Sequence, residues 1–402
     1  MRNILKDKTG EQVMYRAPKD FGTFWGIGGD KDGDKALPRT GTQGRKLLEL
    51  IAVSGDFPVN LLERLPGGRS YKEANIKKLK RDNWIRTLYQ DSLRTWRLSA
   101  KAKRMLVQEN PERFLFYLTG AAETNRLKSE ITRRLRLAHI AATYVMMENA
   151  GALIYRDNKP RVFAPTLSKK EQILFPCFYS SREIKEIGME AAKIRSSRVA
   201  GVLLTETEGF VVYNCGNSLM KWGNREELRL KAFLQVELFG RRLAGRYTMD
   251  CLEAILFSDK METASEMIRN AKKDGAYFVF EGNYRHFYFL TNDSFGETLL
   301  RLLCYPEKKH SLEKIFQKNM KEKDPGYGME HDATDVEGKP VLFGWFCDLP
   351  RIMRFYSALS LKEKKGIIIC FDFQRNILER NFGSRISIHA IDFCEFQRRF
   401  WR

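Results

Sequence analysis

Three aspartates follow directly on strand-like apolar runs: Asp259 after Ala254 to Ser258, Asp372 after Gly366 to Phe371, and Asp392 after Ile386 to Ile391. Carboxylates at the carboxyl ends of parallel strands can gather a divalent metal for phosphodiester cleavage, which makes a metal-dependent nuclease the rival reading. Two of the three have a simpler use. Asp259-Lys-Met-Glu262 and Asp392-Phe-Cys-Glu395 both fit helix capping boxes. No strand carries a Glu-x-Lys preceded by a suitable Asp, as restriction-type nucleases want. His331, Asp332, Asp335 and Glu337 offer metal ligands, but in a polar, Gly-rich stretch they are expected to be solvated. Asp30, Asp32 and Asp34 begin like a calcium loop; Gly33 then falls at loop position four and Gly41 stands where the bidentate Glu belongs. Gly26-Ile-Gly-Gly29 lacks the Lys-Ser/Thr of a phosphate loop. Five histidines show no triad spacing. Seven widely spaced cysteines without C-x-x-C point to reduced core thiols, neither a zinc site nor a disulfide framework. No catalytic residue, metal ligand or cofactor is predicted.

The chemistry that stands out is charge. Over 402 residues, 70 basic residues oppose 50 acidic ones, a net charge of +20. From Arg64 to Arg104 thirteen cations face three acids, so half of that excess lies in about a tenth of the chain. Such a concentration suits a polyanion. With 27 Phe, 15 Tyr and 6 Trp the chain can fill real cores, and disordered, collagen-like and rod-like classes are excluded. No apolar run reaches membrane-spanning length and the first residues do not resemble a signal peptide, so a cytoplasmic protein is expected.

The elements around the cations have a recognisable order. Residues 1–40 read as an irregular arm broken by glycines and prolines. Arg45 to Ser54 carries one apolar face and stops at Gly55; Asp56 and Pro58 open a second short helix with Leu61, Leu62 and Leu65 inward. Ser70-Tyr-Lys-Glu73 reads as a capping box starting a third helix to about Asn83. Two alternating runs, Trp84 to Tyr89 and Ser92 to Leu98, flank a Gln90-Asp91 turn, and Ser99 caps a further helix. Three helices followed by a two-stranded ribbon predict a winged helix-turn-helix over 41–110. Its third helix puts Ile76 and Leu79 inward and Lys77, Lys78 and Arg81 outward. Arg69, Ser70, Tyr71, Lys72 and Asn75 would reach base edges, Asn75 pairing bidentately with adenine, while Arg94 and Arg97 on the ribbon would touch phosphate or minor groove.

A connecting segment, 111–160, follows, with one long helix from Thr124 to Asn149. Leu127, Ile131, Leu135, Ala138, Ala142 and Val145 fall near heptad spacing, so the helix either bridges to the next domain or forms a homodimer seam. Residues 165–402 alternate strand-like runs (Leu299 to Tyr305 and Tyr277 to Phe280 among them) with helical ones, which predicts a mixed α/β domain with a mobile polar insertion at 321–339. The fold class expected for the whole chain is α+β.

The winged module, an Arg-rich helix ending in Met146-Met-Glu-Asn-Ala-Gly151 and a mixed α/β domain together resemble the replication-relaxation type of protein, chiefly over residues 40–155. Those proteins occur on plasmids and integrative conjugative elements of Gram-positive bacteria. The resemblance implies a double-stranded DNA-binding accessory role in replication, transfer or transcription of a mobile genetic element, without catalysis. It also implies a C-terminal domain that can look like a nuclease fold. A third reading is a scaffold whose C-terminal domain binds a protein partner.

Overall fold

The computed structural model describes residues 36–120, 123–124, 130–164, 175–187, 197–219, 222–270, 283–318, 320–323 and 325–401, with the backbone of two short strands ahead of them. The chain is mixed α+β. The two short strands, β1 (Leu5–Lys6) and β2 (Gln12–Val13), pair antiparallel. The remainder of 1–35, including Asp30, Asp32, Asp34 and Gly26 to Gly29, lies outside the described residues.

Helix α1 (Gln43–Ser54) starts where the Thr42 hydroxyl accepts the Arg45 N–H. It stops at Gly55, whose φ of +101° and whose approach to the Thr124 carbonyl (2.5 Å from where a Cβ would stand) leave room for glycine only. Next come β3 (Phe57–Pro58) and, where a second short helix is expected, a 3-10 helix, Val59–Arg64. The stretch between Pro58 and Pro66 is too short to repay helix nucleation, and a tighter turn still buries Leu61 and Leu65. Helix α2 (Arg69–Arg81) begins one residue before the expected cap. Gly68 is the N-cap, Ser70 sits inside the first turn, and Glu73 pairs with Arg69 at 3.0 Å instead of closing a capping box.

Strands β4 (Ile85–Gln90) and β5 (Leu93–Leu98) form a hairpin in which Gln90 faces Leu93, and β3 adds to the far side of β5. Asp91 and Ser92 both take positive φ, 47° and 64°, as a two-residue hairpin turn matched to strand twist requires. Helix α3 (Ala100–Glu109), capped by Ser99, packs on α4 (Pro111–Leu118) and β5, and α4 packs on α1. Arg45 joins Glu49 (2.7 Å) and Glu109 (2.8 Å), and Arg113 joins Glu49 (2.9 Å) and Asp157 (2.8 Å), which ties these helices to the connection that follows.

Helix α5 (Ile131–Asn149) is the described part of the expected long helix; 125–129 lie outside the described residues. It packs on α1 and β3 on one side and on the C-terminal half on the other. Ala138, Ala142 and Val145 are therefore buried within the single chain. This corrects the dimer seam: its small residues let α5 approach the chain's own elements, and among the described members of the heptad set only Leu135 remains well exposed.

The C-terminal half holds two sheets. The first is built from β6 (Cys177–Ser180), α6 (Ser181–Ile184), β7 (Gly201–Leu204) and β8 (Gly209–Gly216), then α7 (Asn224–Phe233) continued by a π-helical stretch, Leu234–Arg242. It is completed by β9 (Leu252–Ser258), α8 (Glu262–Asn270) and β10 (Phe287–Thr291). Its order is β10-β9-β8-β7-β6, with β8, β9 and β10 parallel and the rest antiparallel.

Helices α9 (Ser294–Cys304) and α10 (Pro306–Gln317) lead to the second sheet. That comprises β11 (Ala333–Thr334), β12 (Pro340–Phe343), α11 (Leu349–Leu361), β13 (Gly366–Phe371), α12 (Asp372–Phe382), β14 (Ile386–Ile391) and α13 (Phe393–Phe400). Its order is β11-β12-β13-β14, with the last three parallel. The sheets meet where the Phe289 N–H points at the carbonyls of Phe346 (3.3 Å) and Cys347 (3.2 Å).

Two expectations need correcting here. Leu299 to Tyr305 is mostly α9, not a strand; Leu299, Leu300, Leu302 and Leu303 are all buried, and a short run with Arg301 as its single charged residue shows too little of a period to separate the two. Residues 321–339 are not a loose insertion: they supply β11, and Arg351 of α11 holds Glu330 (3.0 Å) and Asp332 (2.7 Å). The run Tyr277 to Phe280 lies outside the described residues. Among the described residues no helix is long and apolar enough to cross a membrane.

Candidate nucleic-acid interface

The structure sorts the thirteen cations between Arg64 and Arg104 into distinct groups. Ile76 and Leu79 are buried under α2, as their spacing requires; Lys77, Lys78 and Arg81 stand exposed on its other side, with Lys80 exposed at the edge. Arg86 and Arg94 are exposed on the hairpin. A groove of about 900 Å³ runs between α2 and the hairpin, with Arg69, Lys77, Lys80 and Arg94 around Ile76 and Trp96. Lys80 lies 6.0 Å from the centre of the Trp96 ring. Desolvation against the groove wall, and Arg94 beside it, hold its ammonium below the ordinary lysine value. A cation depressed in this way is relieved when an anion enters the groove.

Other expected contacts turn inward. Lys72 is 8 % exposed and its Nζ donates to the Glu63 carbonyl at 2.9 Å, so it seals the 3-10 turn rather than reaching bases. Asn75 is half-buried and its Nδ2 donates one of its two hydrogens to the Tyr71 carbonyl at 2.9 Å, which holds the amide back along α2. Arg69 and Ser70 are exposed, with Arg69 engaged by Glu73. Tyr71 is 54 % exposed and Tyr89, near the hairpin tip, 72 %. Tyr89 and Arg86 were not singled out by sequence, and helical spacing put Lys80 only at the edge of the cationic arc; for Tyr89 the signal was an aromatic residue next to a turn.

The largest correction is Arg97. It is 1 % exposed and grips Asp56, itself fully buried, through Nε–Oδ1 at 2.6 Å and Nη2–Oδ2 at 2.5 Å. Thr95 donates to the same carboxylate at 2.9 Å. Arg134 of α5, 2 % exposed, adds a third contact at 3.2 Å and also bonds Thr95 (2.9 Å) and Gln90 (3.3 Å). Asp56 is therefore the hub of a buried Arg–Asp–Arg cluster joining β3, β5 and α5. Arg64 is likewise occupied: it donates to the Asn292 carbonyl at 2.9 Å and pairs with Glu297, fastening the 3-10 turn to the C-terminal half.

The strand-end acids are not gathered. Asp259 ends β9 in one sheet, while Asp372 and Asp392 end β13 and β14 in the other. Asp392 caps α13, accepting the Glu395 N–H at 2.6 Å. Asp259 accepts from Asn292 at 2.7 Å and does not close the expected capping box. Among the described residues no three His, Cys, Asp or Glu side chains form a metal-sized group.

A polar cavity of about 230 Å³ at the junction of the two sheets was not foreseen. His286 Nδ1 meets Asp348 Oδ2 there at 2.6 Å, and Lys309 and Glu313 line it. Behind it, buried Glu253 accepts the His286 N–H at 2.7 Å, and burial pushes its carboxyl up to about 7. Because the folded value exceeds the unfolded 4.5, the fold favours the protonated acid: this stabilisation is complete below pH 4.5 and lost as pH rises through 7. A shift of that size corresponds to about 3 kcal/mol. Glu253→Gln keeps the acceptor, so the variant should gain stability at pH 8 and little at pH 4.5. Urea midpoints at both values check this, and an equal loss at both would show that the carboxylate itself is needed.

No family model, no curated protein and no solved structure matches this chain.

Proposed function

We propose that residues 41–110 act as a winged helix on duplex DNA, with α2 in the major groove and the β4–β5 hairpin as the wing. The protein would serve, without catalysis, as an accessory factor in replication, transfer or transcription of a mobile element. One observation carries the DNA reading. Lys77, Lys78, Lys80 and Arg94 have no carboxylate partner among the described residues, although they crowd one groove and its rim. Glu63 and Glu73 also line the groove, Glu73 paired with Arg69, but the cations outnumber them; like charges in excess cost stability in the free protein, and phosphates relieve that cost. The opposite face of α2 is apolar and packed, so the helix can hold its position while presenting its cations. The role on a mobile element rests on the resemblance in order of parts.

If six exposed cations (Lys77, Lys78, Lys80, Arg81, Arg86 and Arg94) each neutralise a phosphate, log K should fall against log salt with a slope of about −5. A slope shallower than about −2 would remove the phosphate-contact model. A gel shift on the DNA upstream of the protein's own coding sequence, with and without magnesium, separates the alternatives. A shifted, intact band supports binding; a cut product supports the nuclease, and no interaction supports the scaffold.

A further inference from the structure

A second cationic feature lies beyond the hairpin. On α5, Thr132, Arg136, His139 and Ile140 follow helical spacing and line one wall of a cleft of about 290 Å³. The opposite wall comes from the first sheet: Arg198 just before β7, and Asn214 and Ser218 at and after the carboxyl end of β8. In open α/β sheets the carboxyl ends of parallel strands are where ligands bind. The cleft is built to stay open and firm. Asn214 is saturated, donating to the His139 carbonyl (3.1 Å) and to Thr143 (3.1 Å), while its Oδ1 accepts the Gly216 N–H (3.1 Å). Gly216 has φ +58°, and a Cβ there would stand 2.4 Å from His139 Nε2, so the glycine makes room for the imidazole ring.

The charges in and around this cleft are unbalanced. Arg136 and Arg198 are both exposed at it, and among the described residues neither guanidinium has a hydrogen bond or a carboxylate partner. Desolvation, and Arg198 opposite, hold Arg136 below its ordinary value. Arg182, at the start of α6, is pushed down to about 10, chiefly by burial and further by Arg133 and Arg136. Arg133 and Arg182 also lack a carboxylate partner among the described residues, and they add positive charge near the two guanidinium groups that line the cleft.

We propose that this cleft is a phosphate-binding site, with Arg136 and Arg198 as its paired cations and Thr132 and Ser218 as hydroxyl donors. Planar guanidinium forks match phosphate oxygens bidentately, and two of them with hydroxyls satisfy one phosphate group. The geometry favours the backbone of a duplex already held at α2 as the source. Arg134 of α5 bonds Gln90 at the end of β4, so α5 runs from beside the hairpin to the cleft, with Arg136 on the other side of the helix. That assignment of source rests on the winged-helix reading; the phosphate site itself does not.

The test uses the full chain and the Arg136→Ala/Arg198→Ala variant, with melting temperature as the folding control. Three probes are applied: a mixed-sequence 30-base-pair duplex, inorganic phosphate, and a deoxynucleoside monophosphate. The expected result is an unchanged melting temperature, about tenfold weaker duplex binding, and a salt slope reduced by about 2. Saturable stabilisation by phosphate or the mononucleotide, lost in the variant while the duplex slope holds, supports the site and names a free nucleotide as its source. A variant matching wild type with all three probes overturns it. Because Lys77, Lys78 and Arg81 are intact in the variant, failure of the α2 reading shows separately, as a wild-type protein with no duplex affinity.

Discussion

Asp56→Ala should cost about 3–5 kcal/mol of stability, the loss typical of removing one partner from a buried ion pair. The size follows from what is left behind. Arg97 and Arg134 stay dry in the interior after their shared carboxylate is gone, and neither can reach water without pulling β5 or α5 out of place. A control separates the stranded charges from the lost packing. Replacing the cluster together (Asp56→Leu, Arg97→Met, Arg134→Leu) removes the unpaired charge, so it should be markedly less damaging than the single change. Urea unfolding of both variants measures this. A loss under about 1 kcal/mol for Asp56→Ala would mean that water or other groups replace the carboxylate.

Lys77→Ala/Lys78→Ala/Arg81→Ala should weaken duplex DNA binding by about 10- to 1000-fold while leaving folding nearly intact. The three side chains are exposed, surface substitutions usually stay within about 0.5 kcal/mol each, and alanine is the best helix former. Each lost phosphate contact also removes roughly 0.9 from the salt slope. Leu79→Ala tests the other face of the same helix: it opens a cavity beneath α2 and should cost about 2–5 kcal/mol. Arg97→Ala belongs with Leu79 in this comparison, lowering the melting temperature first. Melting curves and anisotropy titrations on the three variants decide it. Wild-type affinity in the triple alanine variant would return the basic stretch to the role of a solvated face.

What sequence could reveal here followed from locality. Gly55, Ser99, the α2 face and the hairpin depend on neighbours within a turn or two, and spacing alone locates them. Lys72 was also open to reading, because residues 72, 76 and 79 share one helical stripe and Lys72 therefore points with Ile76 and Leu79. Arg97 was harder. Alternation puts Arg94 and Arg97 on opposite faces of β5, but which face is covered depends on β3 and on α5. Its partner, Asp56, lies 41 residues away and reads locally as a helix opener. The same limit hid the cleft at β8 and the cavity at His286, where each side chain is ordinary and only the meeting of distant strands makes a site. Leu299 to Tyr305 failed for a different reason, since a short run with too little of a period fits two structures equally.

The Asp56 cluster has a practical consequence for anyone taking the protein apart. A fragment cut after α4 would contain every exposed cation of α2 and the hairpin and still lack Arg134, half of the charge that Asp56 balances, together with the helix that roofs β3. Such a fragment should be soft at the hairpin even with every expected contact residue present. Grafting residues 41–110 onto another scaffold therefore requires carrying the chain through Asn149 as one piece. The natural cut falls on the far side of α5, so the spine travels with the head.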